Sequence, residues 1–228
     1  MRFGIIVFPG SNCDRDCQYV IEKHLKETAC FIWHKDEALP KGIDAIIIPG
    51  GFSYGDYLRT GAIARLSPIM NAVTRFANEG GRVLGICNGF QILTEAALLP
   101  GTFLRNRSLK FVCQSVYITV DNNALPFTSR YDKNEILSIP IAHAEGNYYI
   151  DDVGLSSLKD NRQIVFRYCN AEGICVDGIN PNGSVFNIAG LCNKEGNVLG
   201  MMPHLERASD PMLNAVDGIR MFLSLCHP

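Results

Sequence analysis

The sequence predicts an α/β fold with three layers: a central, mostly parallel sheet flanked by helices and extended by antiparallel strands. Three observations carry this. In the first half, short apolar runs alternate with stretches of helical periodicity, the order that produces a parallel sheet. Two of those runs, 3–8 and 45–48, are apolar at successive positions, as expected of strands covered on both faces. In the second half the runs alternate apolar with polar and are separated by turn signals such as Asn180-Pro181-Asn182-Gly183.

The elements follow in order. Residues 3–8 form a first strand that ends at Pro9-Gly10. Ser11-Asn12 is placed to cap a helix carrying Cys17, Val20, Ile21 and Leu25 at helical spacing, with Asp14 in its first turn. Short strands follow at 31–33 and 45–48, the latter stopped by Pro49-Gly50-Gly51. Ser67-Pro68 opens a helix with Ile69, Val73, Phe76 and Ala77 on one face, and Gly80-Gly81 ends it. Arg82-Val83-Leu84 leads into Cys87, and a helical run with Ile92, Leu93, Ala96 and Ala97 comes after. Segment 111–120 alternates, with Val112, Val116, Ile118 and Val120 on one side. Strand-like runs continue at 136–141, 163–168, 184–191 and 197–202. A last helix is predicted from Asp210-Pro211, with Met212, Val216, Ile219 and Leu223 as its core stripe.

With 228 residues the chain can bury one sizeable core, so residues 1–228 are read as a single domain. A formal net charge of −2 argues against an extended nucleic-acid surface. No apolar run approaches the roughly 20 residues that span a bilayer. The N-terminal run is short, lacks a small-x-small cleavage site and ends in Pro-Gly, which fits a buried strand better than a secretion signal. A cytoplasmic protein is the expectation. The nine cysteines are odd in number and irregularly spaced, with no Cys-x-x-Cys pair. Cys13 and Cys17 share a helix face, but no second pair completes a metal site. Most of the cysteines read as small buried residues in a reducing compartment, and no metal is expected.

The segment most specific for chemistry is Gly85-Ile86-Cys87-Asn88-Gly89-Phe90-Gln91. It places a cysteine on a sharp turn between strand and helix, with flanking glycines that permit a strained backbone. The Asn88 N–H can meet a developing oxyanion, and a helix N-terminus favours thiolate. A nucleophilic thiol needs a base and a group that orients the base. Of the histidines at 24, 34, 143, 204 and 227, His204 lies just after a strand, two residues from Glu206. Extended backbone would project both to one side and turn Leu205 into the core. The candidate set is Cys87 as nucleophile, His204 as base and then acid, and Glu206 as its orienter. The Gly-rich loop 50–56 lacks the Gly-Lys-Ser/Thr of a P-loop, and no Gly-x-Gly-x-x-Gly follows the first strand, so no nucleotide fingerprint is present.

Segment 85–91 with His204-Leu205-Glu206 downstream resembles the class I (triad) glutamine amidotransferases. Further segments narrow the resemblance: 8–14, 49–62 (PGGFSYGDYLRTGA), 106–111 and 140–146. Together they are similar to the glutaminase subunits of phosphoribosylformylglycinamidine synthases, over essentially the whole chain. The resemblance implies that Cys87 attacks the side-chain amide of glutamine, that His204 protonates the leaving amine and activates water, and that Glu206 holds His204. It implies an oxyanion hole from backbone N–H groups of Gly51 and Asn88, with Phe52 and Gln91 helping to hold glutamine. Ammonia would pass to a large synthetase subunit that uses ATP and Mg, with a small third subunit bridging the two; this chain itself would carry no cofactor. His143 and Glu145 read either as part of a partner interface, the favoured reading, or as a polar loop, and Arg59 and Arg105 could orient substrate or partner or simply be solvated. Two positions depart from the family pattern: Leu205 replaces a proline and could loosen the His–Glu geometry, and Ala144 replaces a glycine. The glutaminase of another synthetase, and a degenerate module that only binds or regulates one, are the alternative readings.

Overall fold

The computed structural model describes residues 1–176 and 178–226, so His227 lies outside the described residues. The chain runs β1 (Arg2–Val7), α1 (Asp14–Tyr19), β2 (Thr28–Trp33), β3 (Ala45–Ile48), α2 (Pro68–Asn78), β4 (Arg82–Ile86) and α3 (Asn88–Glu95). It continues through β5 (Thr102–Leu104), β6 (Val112–Val120), β7 (Ile136–His143), β8 (Asn147–Tyr149), α4 (Asp152–Asp160), β9 (Ile164–Cys169), β10 (Ile188–Cys192), β11 (Val198–Met201) and α5 (Ile219–Cys226).

Nine strands form one sheet in the order β2-β1-β3-β4-β11-β10-β9-β6-β7, and β5 pairs with β8 in a separate two-stranded sheet. The pairs β1–β2, β1–β3, β3–β4 and β4–β11 are parallel. The pairs from β11 outward to β7 are antiparallel. The predicted mostly parallel core with antiparallel additions is therefore observed. Its apolar runs explain it: all four residues of β3 are buried, with helices covering the sheet. Burying each of its three isoleucine side chains contributes roughly 1.5–3 kcal/mol. In α2, Ile69, Met70, Val73 and Ala77 face this core.

Three local expectations differ from the structure. Ser11 and Asn12 do not cap α1; the cap position is Cys13, without a side-chain hydrogen bond. Ser11 instead accepts from the Phe8 N–H through Oγ and pairs with Gly51, and the Asn12 N–H donates to the Gly50 carbonyl. Residues 185–187 are not extended: they form a single turn in which Phe186 and Asn187 take left-handed φ values of 53° and 58°, and the strand begins at Ile188. The last helix also begins later than expected. Asp210 accepts from the Met212 N–H to close only a 3-10 turn, Pro211–Leu213, and Met212 is exposed. The chain then crosses the 205–208 turn so tightly that a Cβ on Gly218 would lie 2.2 Å from the Leu205 carbonyl oxygen. The helix starts beyond that crossing, where Met221, Phe222 and Leu225 reach the core.

Candidate active site

Strand order brings the chemistry together. β3, β4 and β11 are adjacent and parallel, so the segments leaving their carboxyl ends, at Gly50-Gly51, Cys87 and His204, converge. Cys87 occupies φ 50°, ψ −105°, an unfavourable region for an L-residue. Its N–H donates to the Met201 carbonyl on β11, and its carbonyl accepts from the Phe90 and Gln91 N–H groups. The turn is held from both sides. The flanking glycines are required for close packing: a Cβ on Gly89 would lie 1.9 Å from the Ile48 carbonyl oxygen, and one on Gly85 would lie 2.7 Å from the Gly89 oxygen. Asn88 is the first residue of α3, so its N–H has no partner within the helix.

His204 and Glu206 meet, but not through extended backbone. Leu205–Ala208 is a 3-10 turn, with His204 at its cap. The turn places a Glu206 carboxylate oxygen 2.6 Å from His204 Nδ1 and buries Leu205 completely. The expected loosening by Leu205 is not observed. The His204 N–H donates to the Pro140 carbonyl, which ties β7 to this turn. Burial opposes charge on His204, yet the Glu206 carboxylate and the Cys87 and Cys13 sulfurs raise its pKa well above the ordinary imidazole value. With Nδ1 engaged by Glu206, the buried Nε2 is left without a hydrogen-bond partner among the described residues.

Cys13 is a neighbour that sequence reasoning did not place here. Its Sγ lies 3.7 Å from His204 Nδ1, accepts from Arg207 Nη2 at 3.4 Å and is 3.2 Å from Asn12 Oδ1. Cys13, His204 and Glu206 bring their donor atoms within 4.8 Å of one another. Burial raises the Cys13 thiol pKa, against the lowering effect of His204. The Asn12-Cys13-Asp14 sequence at a strand end was the available signal, hidden by its helical spacing to Cys17.

A small cleft opens beside Cys87. Gly51, Phe52, Asp56 and Thr60 line it from the β3 side, and Ala142, Ala144 and Glu145 line it from the end of β7, together with Gln91 and His143. The Gln91 amide links two walls, accepting from Asn88 Nδ2 at 3.0 Å and donating to the Glu145 carbonyl at 2.7 Å. Phe52 is half exposed at 6.4 Å from the Phe111 ring. Asp56 Oδ1 is sealed from solvent without a hydrogen-bond partner among the described residues. Burial, then the charge of Glu145, push the Asp56 pKa up to about 6.

A family model of the CobB/CobQ-like glutamine amidotransferase domain matches residues 1–220. The chain belongs to the glutamine amidotransferase family. The phosphoribosylformylglycinamidine synthase subunit PurQ of Moorella thermoacetica is 56% identical, over 99% of this chain and 95% of that protein. The PurQ subunit of Gloeobacter violaceus is 57% identical, over 99% and 97%. The solved PurLQS structure from Thermotoga maritima contains a chain with a TM-score of 0.86 and 41% identity, covering 99% of this chain and 97% of that one. Within the amidotransferase family, the chain thus falls in the branch of these glutaminase subunits.

His143, expected at a partner interface, is buried in the wall of the cleft. Its Nδ1 is 3.1 Å from Asn106 Oδ1, its Nε2 is 3.5 Å from Asn182 Nδ2, and burial followed by the charge of His204 lowers its pKa to about 4. Asn106, fully buried, also donates to the His143 and Lys110 carbonyls and accepts from the Gly146 N–H, so it fixes the 143–146 wall. Glu145 faces the cleft and accepts from Thr60 Oγ1 at 3.2 Å. Arg59 is taken up by two 2.6 Å bonds to Glu95, while Arg105 Nε lies 3.9 Å from Glu145. No helix among the described residues is long and apolar enough to cross a membrane.

Proposed function

We propose that this chain, as one domain over residues 1–228, is the glutaminase subunit of a phosphoribosylformylglycinamidine synthase, working in the cytoplasm. The observation that carries the reading is the strained Cys87 turn beside a buried His204–Glu206 pair, in a chain more than half identical to PurQ subunits.

Cys87 is assigned as nucleophile over Cys13. The free face of His204 is Nε2, whereas Cys13 abuts Nδ1, which Glu206 already occupies. His204 takes the Cys87 proton, and the sulfur attacks the side-chain amide carbon of glutamine. The resulting oxyanion is met by the N–H groups of Asn88 and Gly51. The Gly50 carbonyl accepts from the Asn12 and Cys13 N–H groups, so the planar peptide directs the Gly51 N–H to the opposite side. His204 then gives its proton to the departing nitrogen, leaving a glutamyl thioester and ammonia. Water, deprotonated by His204, hydrolyses the thioester to glutamate and restores the thiol. Phe52 and Gln91 bound the space for glutamine. Ammonia passes to the large synthetase subunit, which uses ATP and Mg to make the amidine, with a small third subunit completing the complex.

The test is glutamate release by the chain and by Cys87→Ala, each alone and with both partner subunits, ATP and formylglycinamide ribonucleotide. Cys87-dependent release that rises with the complete set is expected. Release indifferent to those partners would assign the chain to another synthetase, and none under any condition would make it a binding module.

A further inference from the structure

We propose that Asp56 is a specificity-determining residue: its carboxylate receives the α-ammonium group of the amino acid whose side-chain amide reaches Cys87. This rests on the glutaminase reading and adds which group recognises the amino-acid end of the substrate.

Asp56 and Cys87 line the same cleft. Asp56 Oδ1 is fully enclosed and accepts no hydrogen bond from any described residue, an expensive state for a carboxylate oxygen. The nearby cations are directed elsewhere: Arg59 is held by Glu95, and Arg105 approaches Glu145. Glu145 has the Thr60 hydroxyl as a donor, so Asp56 is the acid without one. Its raised pKa reflects the same missing counter-charge.

The backbone holds the acid in this position. Tyr54 and Asp56 adopt left-handed φ values of 54° and 57°, uncommon for residues other than glycine. The turn is braced by the Ser53 N–H on Asn88 Oδ1, the Tyr54 N–H on the Pro9 carbonyl, and the Tyr54 hydroxyl against His34 Nδ1 and Ser67 Oγ. The brace on Asn88 couples the acid to the residue after the nucleophile. Free glutamine brings one positive charge, its α-ammonium, several bonds from the amide carbon. Placing that charge on Asp56 would satisfy the orphaned oxygen. A side-chain amide lacking it would leave the carboxylate unpaired, which is how a polar site rejects close analogues.

The experiment compares L-glutamine with 4-carbamoylbutanoate, the same molecule without its amino group, using the chain in its complete synthetase complex. Wild type and Asp56→Asn are scored by the ratio of kcat/KM for the two compounds, a quantity that a partly unfolded preparation does not change. The expected result is a 10- to 100-fold fall in kcat/KM for glutamine, mostly through KM, with the analogue nearly unaffected, so that the ratio falls by about that factor. Asp56→Ser should give the same collapse. An unchanged ratio in both variants overturns the assignment while leaving the glutaminase reading standing. Wild type that hydrolyses neither compound overturns both.

Discussion

His204 Nδ1 and a Glu206 carboxylate oxygen stand 2.6 Å apart with both side chains sealed from solvent. The pair is made by a single 3-10 turn, and it fixes which imidazole nitrogen is free for chemistry. Glu206→Gln keeps the shape and removes the charge that supports an imidazolium. We expect glutamate release in the complete complex to fall roughly 10²- to 10⁴-fold in kcat, with little change in KM. A fall below about threefold would mean that the carboxylate does not orient the base.

Leu205→Pro restores the residue that the family pattern usually carries. His204, at φ −89°, ψ 91°, already lies outside the α region that a following proline disfavours, and position 205 is the first of its turn, where proline fits. Activity within about threefold of wild type is expected, with a stability loss under about 1.5 kcal/mol from the smaller buried side chain. Loss of activity in a folded variant would show that the leucine is needed for the His204–Glu206 geometry.

Gly89→Ala should damage the nucleophile turn without touching a reactive group. Its added methyl would meet backbone, the Ile48 carbonyl oxygen, rather than a side chain that can move aside. We expect a loss on the order of 3 kcal/mol in urea unfolding and reduced alkylation of Cys87 by iodoacetamide at matched folded fraction. Wild-type stability would contradict the packing described.

His143 should make stability depend on pH. Its folded pKa of about 4 lies below the ordinary value of about 6.5, so between these limits the unfolded chain binds the proton more tightly. Stability from this group is complete above about pH 6.5 and falls as pH drops toward 4, by about 3 kcal/mol in total. His143→Gln should flatten that part of the urea-derived profile, and an unchanged slope would place the imidazole in a solvated site.

Asp56 should act in the opposite sense. Its pKa is raised, so the folded protein loses stability as pH rises from about 4 through about 6. Asp56→Asn should therefore melt at a higher temperature than wild type above pH 6, with the difference shrinking below pH 4. Equal melting temperatures at both pH values would show that the carboxylate is not strained in the free chain.

The nucleophile turn was legible in the sequence because its requirements are local: a strand, a cysteine and two glycines within seven residues. The parallel core was legible because buried strands must be apolar at every position, as β3 is. His204 and Glu206 were found for a partly mistaken reason, since a 3-10 turn rather than extended chain makes them meet. The last helix was misplaced because the close crossing of Gly218 over Leu205 depends on residues outside the helix's own periodicity.

By itself, then, the sequence determined the layered α/β architecture, the thiol elbow and the family to which the chain belongs, all properties written in contiguous residues. Only the tertiary structure decided that Cys13 abuts His204, that His143 is enclosed by Asn106 and Asn182, and that Asp56 faces the cleft without a partner. These depend on the order of strands in the sheet and on which buried polar atoms find partners, and both are settled by contacts between segments far apart in the chain.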